Sequence, residues 1–301
     1  MFENQKSPQS PKETPSVGHL LAQLPRELAI KHRDYIENQE LDDTEACYYL
    51  MSIIKKRQEA MTETMISDKR IDTILRDPEY RAEILKQIEA SVFQSPSIGA
   101  GQTACIKAFS LPSNDGEIQI AVKYLVTPTP KTLSTSAEHD MLRELERIKT
   151  IEEIEEHAEV QMIRVPHPYF HHKNEHIQCY GMHRIDGVNL REVNDDEVSK
   201  EMLSDLHNSL ALVPEEMILA EFEKFMKQMH TYCLHGDIKP ANIMVSRTGL
   251  FYIIDFGQSV LVNDITDNER EQLDNLCEAE IENTRLTIKT FLKKLSSSYK
   301  K

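Results

Sequence analysis

The sequence predicts an α+β fold: a small antiparallel sheet followed by a mainly helical region, with a helical extension ahead of both. Three observations carry that expectation. The apolar residues recur at helical spacing over about 18–92, alternate as strands do over about 94–126, and return to helical spacing beyond about 185. The alternating stretch is punctuated by Gly99-Ala100-Gly101 and by the turn Pro112-Ser113-Asn114-Asp115-Gly116. Two short β-prone runs, Ile243-Met244-Val245 and Phe251-Tyr252-Ile253-Ile254, flank Arg247-Thr248-Gly249, which reads as a hairpin.

Taken in order, residues 1–17 are rich in Pro, Ser, Lys and Glu and predict a disordered tail, because such a composition buries too little apolar area to offset chain entropy. Over 18–92 the helical extension shows Cys47, Leu50, Met51 and Ile54 at helical spacing. Asp77-Pro78 then reads as an N-cap and first-turn proline before Tyr80, Ile84, Leu85 and Ile88. The sheet region spans 93–184, with strands about 103–109 and 118–126, a charged helix about 134–157, and two short strands about 169–171 and 177–182. The helical region spans 185–301: Ile218, Phe222, Phe225, Met226 and Met229 share one face, and Thr266 to Glu269 reads as a capping box opening the last helix. The methionines on that face are expected to fill core gaps.

The totals exclude several classes. A chain of 301 residues that is 40% hydrophobic builds a substantial core, and a net charge of −15 argues against nucleic acid as a partner, since neutralising phosphates needs clustered Lys and Arg. No apolar run approaches the roughly 20 residues that span a bilayer, and no apolar signal segment opens the chain, so no membrane contact is expected and an intracellular, cytoplasmic location is. Five scattered cysteines without a Cys-x-x-Cys pair read as small buried hydrophobes. The histidines at 167, 171, 172 and 176 lack an accompanying acidic or cysteine set and read as a solvated surface cluster.

The chemistry concentrates in HGDIKPANIMVSRTGLFYIIDFG, residues 235–257. Asp237, Lys239 and Asn242 lie in one loop, and Asp255 follows the second run of the hairpin. A carboxylate, a cation and an amide at this spacing can orient a hydroxyl nucleophile, touch a terminal phosphate and help hold a metal, and a second carboxylate supplies another hard ligand for Mg²⁺. Phosphoryl transfer is the reaction these groups suit. The segment resembles the protein-kinase superfamily, whose catalytic loop ends in Lys-Pro-x-Asn and whose metal-binding turn is Asp-Phe-Gly. Here these read Lys239-Pro240-Ala241-Asn242 and Asp255-Phe256-Gly257, with His235-Gly236-Asp237 in place of His-Arg-Asp.

The resemblance implies a bilobal fold with a reduced helical lobe, and ATP and Mg²⁺ as cofactors. It also implies an ATP-covering loop upstream, for which Gly99, Gly101, Ala104 and Ile106 stand, with Ala104 in place of a third glycine. Ala121-Val122-Lys123 is similar to the strand whose lysine meets the α- and β-phosphates. An inward lysine needs an acidic partner. Glu138 is preferred to Glu144, because Leu142 and Leu145 put an apolar face beside it. Met182 would line the adenine pocket, and the backbone of His183 to Ile185 would bond the base. On this mapping Asp237 receives the hydroxyl proton, Lys239 steadies the phosphate, and Asn242 and Asp255 hold the metal.

The resemblance spans about 95–260. Gly236 stands where regulated kinases carry an Arg that grips a phosphorylated loop, and no Ala-Pro-Glu follows Gly257, as in compact atypical kinases such as the RIO type. The expected activity is a serine/threonine-type protein kinase. Aminoglycoside- or choline-type small-molecule kinases, suggested by His-Gly-Asp and Val165-Pro166-His167-Pro168, and a pseudokinase interaction module are the alternatives. The helical extension is expected to brace the sheet region or to bind a partner protein.

Overall fold

The computed structural model describes residues 16–21, 26–47, 49–51, 69–91, 97–100, 104–113, 116–125, 133–155, 162–194, 198–211 and 213–298. Of the expected tail over 1–17, residues 1–15 lie outside them, as do Ile54 and Gly101 to Thr103, while Val17 already belongs to a helix. The chain divides into two compact units, Met1–Gln58 and Glu59–Lys301.

The first unit contains helices α1 (Val17–Leu21) and α2 (Arg26–Asn38) and further helical turns over 43–47 and 49–51. The turn over 43–47 begins at a reciprocal cap: Asp42 Oδ1 accepts the Thr44 and Glu45 amides at 2.8 and 2.9 Å, and Glu45 Oε2 accepts the Asp42 amide at 3.2 Å. Cys47 and Leu50 are buried as their spacing predicts, whereas Met51 is exposed. His32 Nδ1 meets the Tyr49 hydroxyl at 2.8 Å, and Tyr49 stacks on Tyr35.

The second unit is built on a five-stranded antiparallel sheet in the order β1 (Ser97–Ala100), β2 (Ala104–Ser113), β3 (Gly116–Leu125), β6 (Gln178–His183), β5 (Pro168–Lys173). Strand alternation gives β3 two chemically different faces. Ile120 and Val122 face a core shared with Leu111, Phe170, Ile177 and Cys179, and this core is closed by Ile71 and Leu75 together with Ile84 and Ile88 of α3 (Pro78–Ser91). Asp77 caps α3 as its sequence predicts, accepting the Glu79 and Tyr80 amides. The single extension expected over 18–92 is therefore divided. Residues 69–91 carry the apolar cover of the sheet and belong to its unit, because the sheet cannot bury that face without them.

The other face of the sheet receives α4 (Thr135–Glu155), whose first turn is capped by Ser134. The helices on the two faces also settle the histidines. His176 is exposed as expected, whereas His167 sits between Glu146 at 2.6 Å and Asp72 at 3.2 Å, His172 bonds Glu89 at 2.6 Å, and His171 bonds Thr135 at 3.2 Å. Helix residues close over this edge of the sheet and bring their polar side chains to the rings.

A second sheet, in the order β4 (Ile163–Arg164), β10 (Phe251–Ile253), β9 (Ile243–Ser246), β7 (Gly187–Asn189), contains the expected hairpin, with Phe251 opposite Val245 and Ile253 opposite Ile243. β8 (Cys233–Leu234) pairs with β11 (Val260–Leu261) beside it. Among the described residues, α5 (Lys200–Leu210), α6 (Glu215–Met229) and α7 (Asp267–Ser298) complete this region. The apolar face of α6 buries Ile218, Phe222, Phe225, Met226 and Met229, so its methionines are core filling. Phe251 stands edge-on to both Phe222 of α6 and Phe291 of α7, tying the hairpin to two helices. Among the described residues no helix is long and apolar enough to cross a membrane.

Candidate active site

The hairpin β9–β10 presents both acidic groups at one end because the chain enters β9 from the Asp237 loop and leaves β10 directly into Asp255. Backbone bonds lock the two together: the Ile254 amide donates to the Asn242 carbonyl at 2.9 Å, and the Asn242 amide to that of Lys239 at 2.9 Å. Within the loop, Lys239 Nζ donates to Asp237 Oδ2 at 2.6 Å, and Asn242 Nδ2 donates to the Asp237 carbonyl at 2.8 Å and to its Oδ2 at 3.0 Å. Both side-chain bonds land on Oδ2 rather than Oδ1. The Asn242 nitrogen is spent on Asp237, so its amide oxygen is the atom left for a cation.

His235 fixes the backbone around these groups. It is fully buried; its Nε2–H donates to the Ile254 carbonyl at 3.0 Å and its Nδ1 accepts the Asp237 amide at 3.3 Å, a pattern only the neutral ring supports. Burial holds its pKa below the usual histidine value, consistent with that tautomer. Asp255 occupies the left-handed region at φ 65° and ψ 66°. Phe256 beside it is fully buried against the His235 ring, 4.7 Å between centroids, so packing on one side sustains the strained backbone on the other.

Lys123 reaches the same point from the first sheet. Its ammonium donates to Glu138 Oε1 and to Asp255 Oδ1, each at 2.6 Å. Burial alone would lower the Lys123 pKa, but attraction to Glu138 and Asp255 outweighs it and the value is raised. Asp255 shows the converse: burial raises it, but the charge and hydrogen bond of Lys123, with His235 and Lys239, together outweigh burial, and its carboxyl lies below the usual carboxylate range. Glu144, the other acidic candidate, pairs instead with the exposed Arg147 on the outer face of α4. The Leu133 amide, just before α4, donates to the Gly257 carbonyl at 2.8 Å, so the helix carrying Glu138 is bonded to the turn carrying Asp255.

Strand register places the remaining sheet candidates. Ala104 pairs with Leu125, Ile106 with Lys123, Lys123 with Tyr180, and Ala121 with Met182, which sets Ala104, Ile106, Ala121, Lys123 and Met182 on one face. His183 pairs with Ile120 and so falls on the opposite face, where its ring lies parallel to that of Tyr252 at 6.1 Å. Ile185, beyond β6, is partly buried. A methyl group on Gly99 would sit at ordinary contact distance from Ile106, so local space does not demand glycine there.

Two residues escaped the sequence reading. Tyr180, fully buried, donates its hydroxyl to Glu138; burial raises its pKa strongly and the Glu138 charge raises it further. Glu280 of α7 contacts the catalytic loop. The apolar surroundings of Tyr180 in Cys179-Tyr180-Gly181-Met182 mark a buried strand but not its partner, and Glu280 sits in a helix dense with acidic residues.

The ABC1 atypical kinase-like domain profile matches residues 119–291, more than half of the chain and a span that includes Lys123, Glu138, the whole hairpin and most of α7. The match thus runs past residue 260, where the motif resemblance ended. The dual specificity protein kinase zak2 of Dictyostelium discoideum is 27% identical over 146 residues, covering 47% of this chain and 20% of that protein. The chain therefore spans about a fifth of that relative's length.

Proposed function

We propose, since the chain belongs to the ABC1 atypical kinase-like family, that it transfers the γ-phosphoryl group of ATP to a hydroxyl group of a protein. The observation that carries this reading is the convergence on one point of Lys123 from the first sheet, Glu138 from α4 and Asp255 from the hairpin, at 2.6 Å each. Three elements distant in sequence meet there, as positioning a polyphosphate requires. We assign the sheet region through residue 184 to a nucleotide-holding lobe and residues 185–301 to a reduced helical lobe.

The roles follow from the contacts. Lys123, fixed by Glu138, positions the α- and β-phosphates under β1 and β2, where Gly99, Ala104 and Ile106 form the cover, to which the motif also assigns Gly101. Ala121 and Met182 line the adenine pocket, and the backbone of His183 to Ile185 bonds the base. The acceptor hydroxyl attacks the γ-phosphorus and passes its proton to Asp237 as the bond to the ADP oxygen breaks, the electron pair leaving with ADP. Lys239 steadies the transferring group. The free oxygen of Asn242 and the second oxygen of Asp255 are hard donors that suit Mg²⁺, which coordinates few protein groups and several phosphate oxygens. When bound, Mg²⁺ neutralises charge on the terminal phosphates. A protein acceptor is favoured by Lys239-Pro240 and by the kinase relative; His-Gly-Asp favours the second reading, a small-molecule alcohol.

Labelled ATP and Mg²⁺ incubated with the protein, a casein-like acceptor and a panel of amino-alcohols test both. Label on protein is expected. Label on an amino-alcohol moves the assignment to the second reading, and no label removes the phosphotransfer assignment. Asp255→Ala is expected to remove labelling while its melting temperature stays near that of the parent, and full labelling by that variant overturns the metal-site assignment.

A further inference from the structure

Thr135, Glu138, His139 and Leu142 are spaced i, i+3, i+4 and i+7 and share the buried face of the first two turns of α4. Three of them meet one cross-strand pair, His171 of β5 opposite Tyr180 of β6. The Thr135 hydroxyl lies 3.2 Å from His171 Nε2, and Glu138 accepts from the Tyr180 hydroxyl as well as from Lys123. The His139 ring is centred 6.1 Å from that of His171 and stands edge-on to Tyr180 at 6.3 Å. The seat that holds Glu138 against Lys123 is thus built in part from two titratable rings.

The surroundings favour both rings uncharged. His139 is 6% exposed, and its Nδ1 lies 3.2 Å from Asp140 Oδ1, so the neutral ring donates from Nδ1 and keeps a lone pair on Nε2. That nitrogen is buried and has no hydrogen-bond partner among the described residues. A proton there adds a charge and an N–H without an acceptor, which is the costly case for a buried group. Neighbouring charges do not offset the cost. On α4, Asp140 favours the proton but is 70% exposed, while Arg143 opposes it; α3 brings Arg81, and β5 brings His171 with His172 and Lys173. From β6 comes the uncharged Tyr180, and Glu138 is already spent on Lys123 and Tyr180. Burial accordingly holds the His139 pKa below the usual 6.5, and burial followed by the neighbouring His139 does the same to His171.

We propose that His139 and His171 form a proton-operated latch on Glu138: as neutral rings they seat the first two turns of α4 on β5 and β6, and when protonated they unseat them and withdraw Glu138 from Lys123. The effect on rate rests on the phosphotransfer reading above; the latch itself does not. His139 touches neither nucleotide nor acceptor in that reading and is a positioning residue. The unseated helix, with its histidines in water, takes up protons first as pH falls below 6.5. The seated form is therefore complete above pH 6.5 and is lost below it, by up to about tenfold per pH unit for each histidine.

The test uses the full chain as wild type, His139→Gln and His171→Gln, with His176→Gln, at an exposed position, as the control. Transfer from ATP to the acceptor identified by labelling is followed as kcat/KM for ATP between about pH 7.5 and 5.5, each profile scaled to its own value at the upper end, beside amide-exchange protection factors. On acidification the wild type and the control are expected to lose at least about threefold more rate than His139→Gln. In the wild type, protection over residues 135–142 is expected to fall about tenfold or more with α6 unchanged, and in His139→Gln to hold. If the His139 variant does not fold, His171→Gln, at a partly buried position, is read in the same way. Constant protection over 135–142 in the wild type overturns the latch, and so does an acid limb as steep in both variants as in the wild type, which would assign it to other groups such as His235. Protection lost across the whole chain overturns it as well, since acid then unfolds the protein instead of unseating one helix. No label transfer by the wild type at any pH removes the phosphotransfer reading, while an acid-dependent loss of protection confined to 135–142 still supports the latch.

Discussion

His235 donates through Nε2 and accepts through Nδ1, so a second proton on the ring breaks the bond that holds the Asp237 amide. Its pKa in the folded chain lies below 6.5, and its contribution to stability is therefore complete above pH 6.5 and lost as pH falls below it, where the unfolded chain takes up the proton first. His235→Asn, which does not titrate, is expected to remove up to about 1.4 kcal/mol per pH unit from the slope of urea stability on the acid side. An unchanged slope would mean that other groups set it. Lys123 has the opposite sign: its raised pKa stabilises the fold below its usual value of 10.5 and ceases to do so only as pH rises through the higher folded value. Replacing Lys123 by Met strands the buried Glu138 and is expected to cost about 3 kcal/mol or more in urea unfolding. The pair Lys123→Met and Glu138→Leu together should recover much of that stability without recovering turnover, which separates the structural from the catalytic part of the contact.

At the scale of the element, the hairpin β9–β10 was legible because everything that defines it is local: two apolar runs, a turn with Gly249 between them, and polar residues at the ends. The same holds for the Asp77 and Pro78 start of α3. The two-residue β4 was not legible, since Ile163 and Arg164 become a strand only by pairing in parallel with Phe251 and Tyr252, far along the chain. β8 and β11 are of the same kind. Gly236 carries the clearest prediction here. Read from the motif, it is a departure from arginine; in the structure it is the residue that a left-handed turn against Gln258 requires. Gly236→Ala is expected to lose about 1–2 kcal/mol from the backbone alone, more with the contact to the Gln258 carbonyl, as read by denaturant midpoint. The Phe251 ring, fully buried between Phe222 and Phe291, is the corresponding packing site, and Phe251→Ala is expected to cost about 3–5 kcal/mol in the same measurement.

For the whole molecule, the division between Gln58 and Glu59 makes a prediction about truncation. A chain beginning at 59 keeps Ile71, Leu75, Ile84 and Ile88 on the first sheet and is expected to unfold cooperatively. A chain beginning at 93 uncovers that face. Each of the four side chains contributes about 1.5–3 kcal/mol when buried, so their loss is comparable with the roughly 5–15 kcal/mol that stabilises a whole domain. The shorter chain is therefore expected to show no cooperative melt by calorimetry, and a normal melt would place the domain start after α3.

Local chemistry was written in the sequence by itself: helix caps, the hairpin, the alternation that gives β3 a lysine face and an apolar face, and the spacing of Asp237, Lys239, Asn242 and Asp255. Those features depend on residues a few positions apart, whose geometry the backbone already constrains. The preference for Glu138 over Glu144 was legible from the apolar face beside it, but only the tertiary structure decided that Lys123 also meets Asp255, that Tyr180 bonds Glu138, that His167, His171 and His172 find polar partners, and that α7 returns Glu280 to the loop before Asp237. Those contacts join residues 21 to 132 positions apart. A side chain's type states what it can bond, and the packing of distant elements decides which partner arrives.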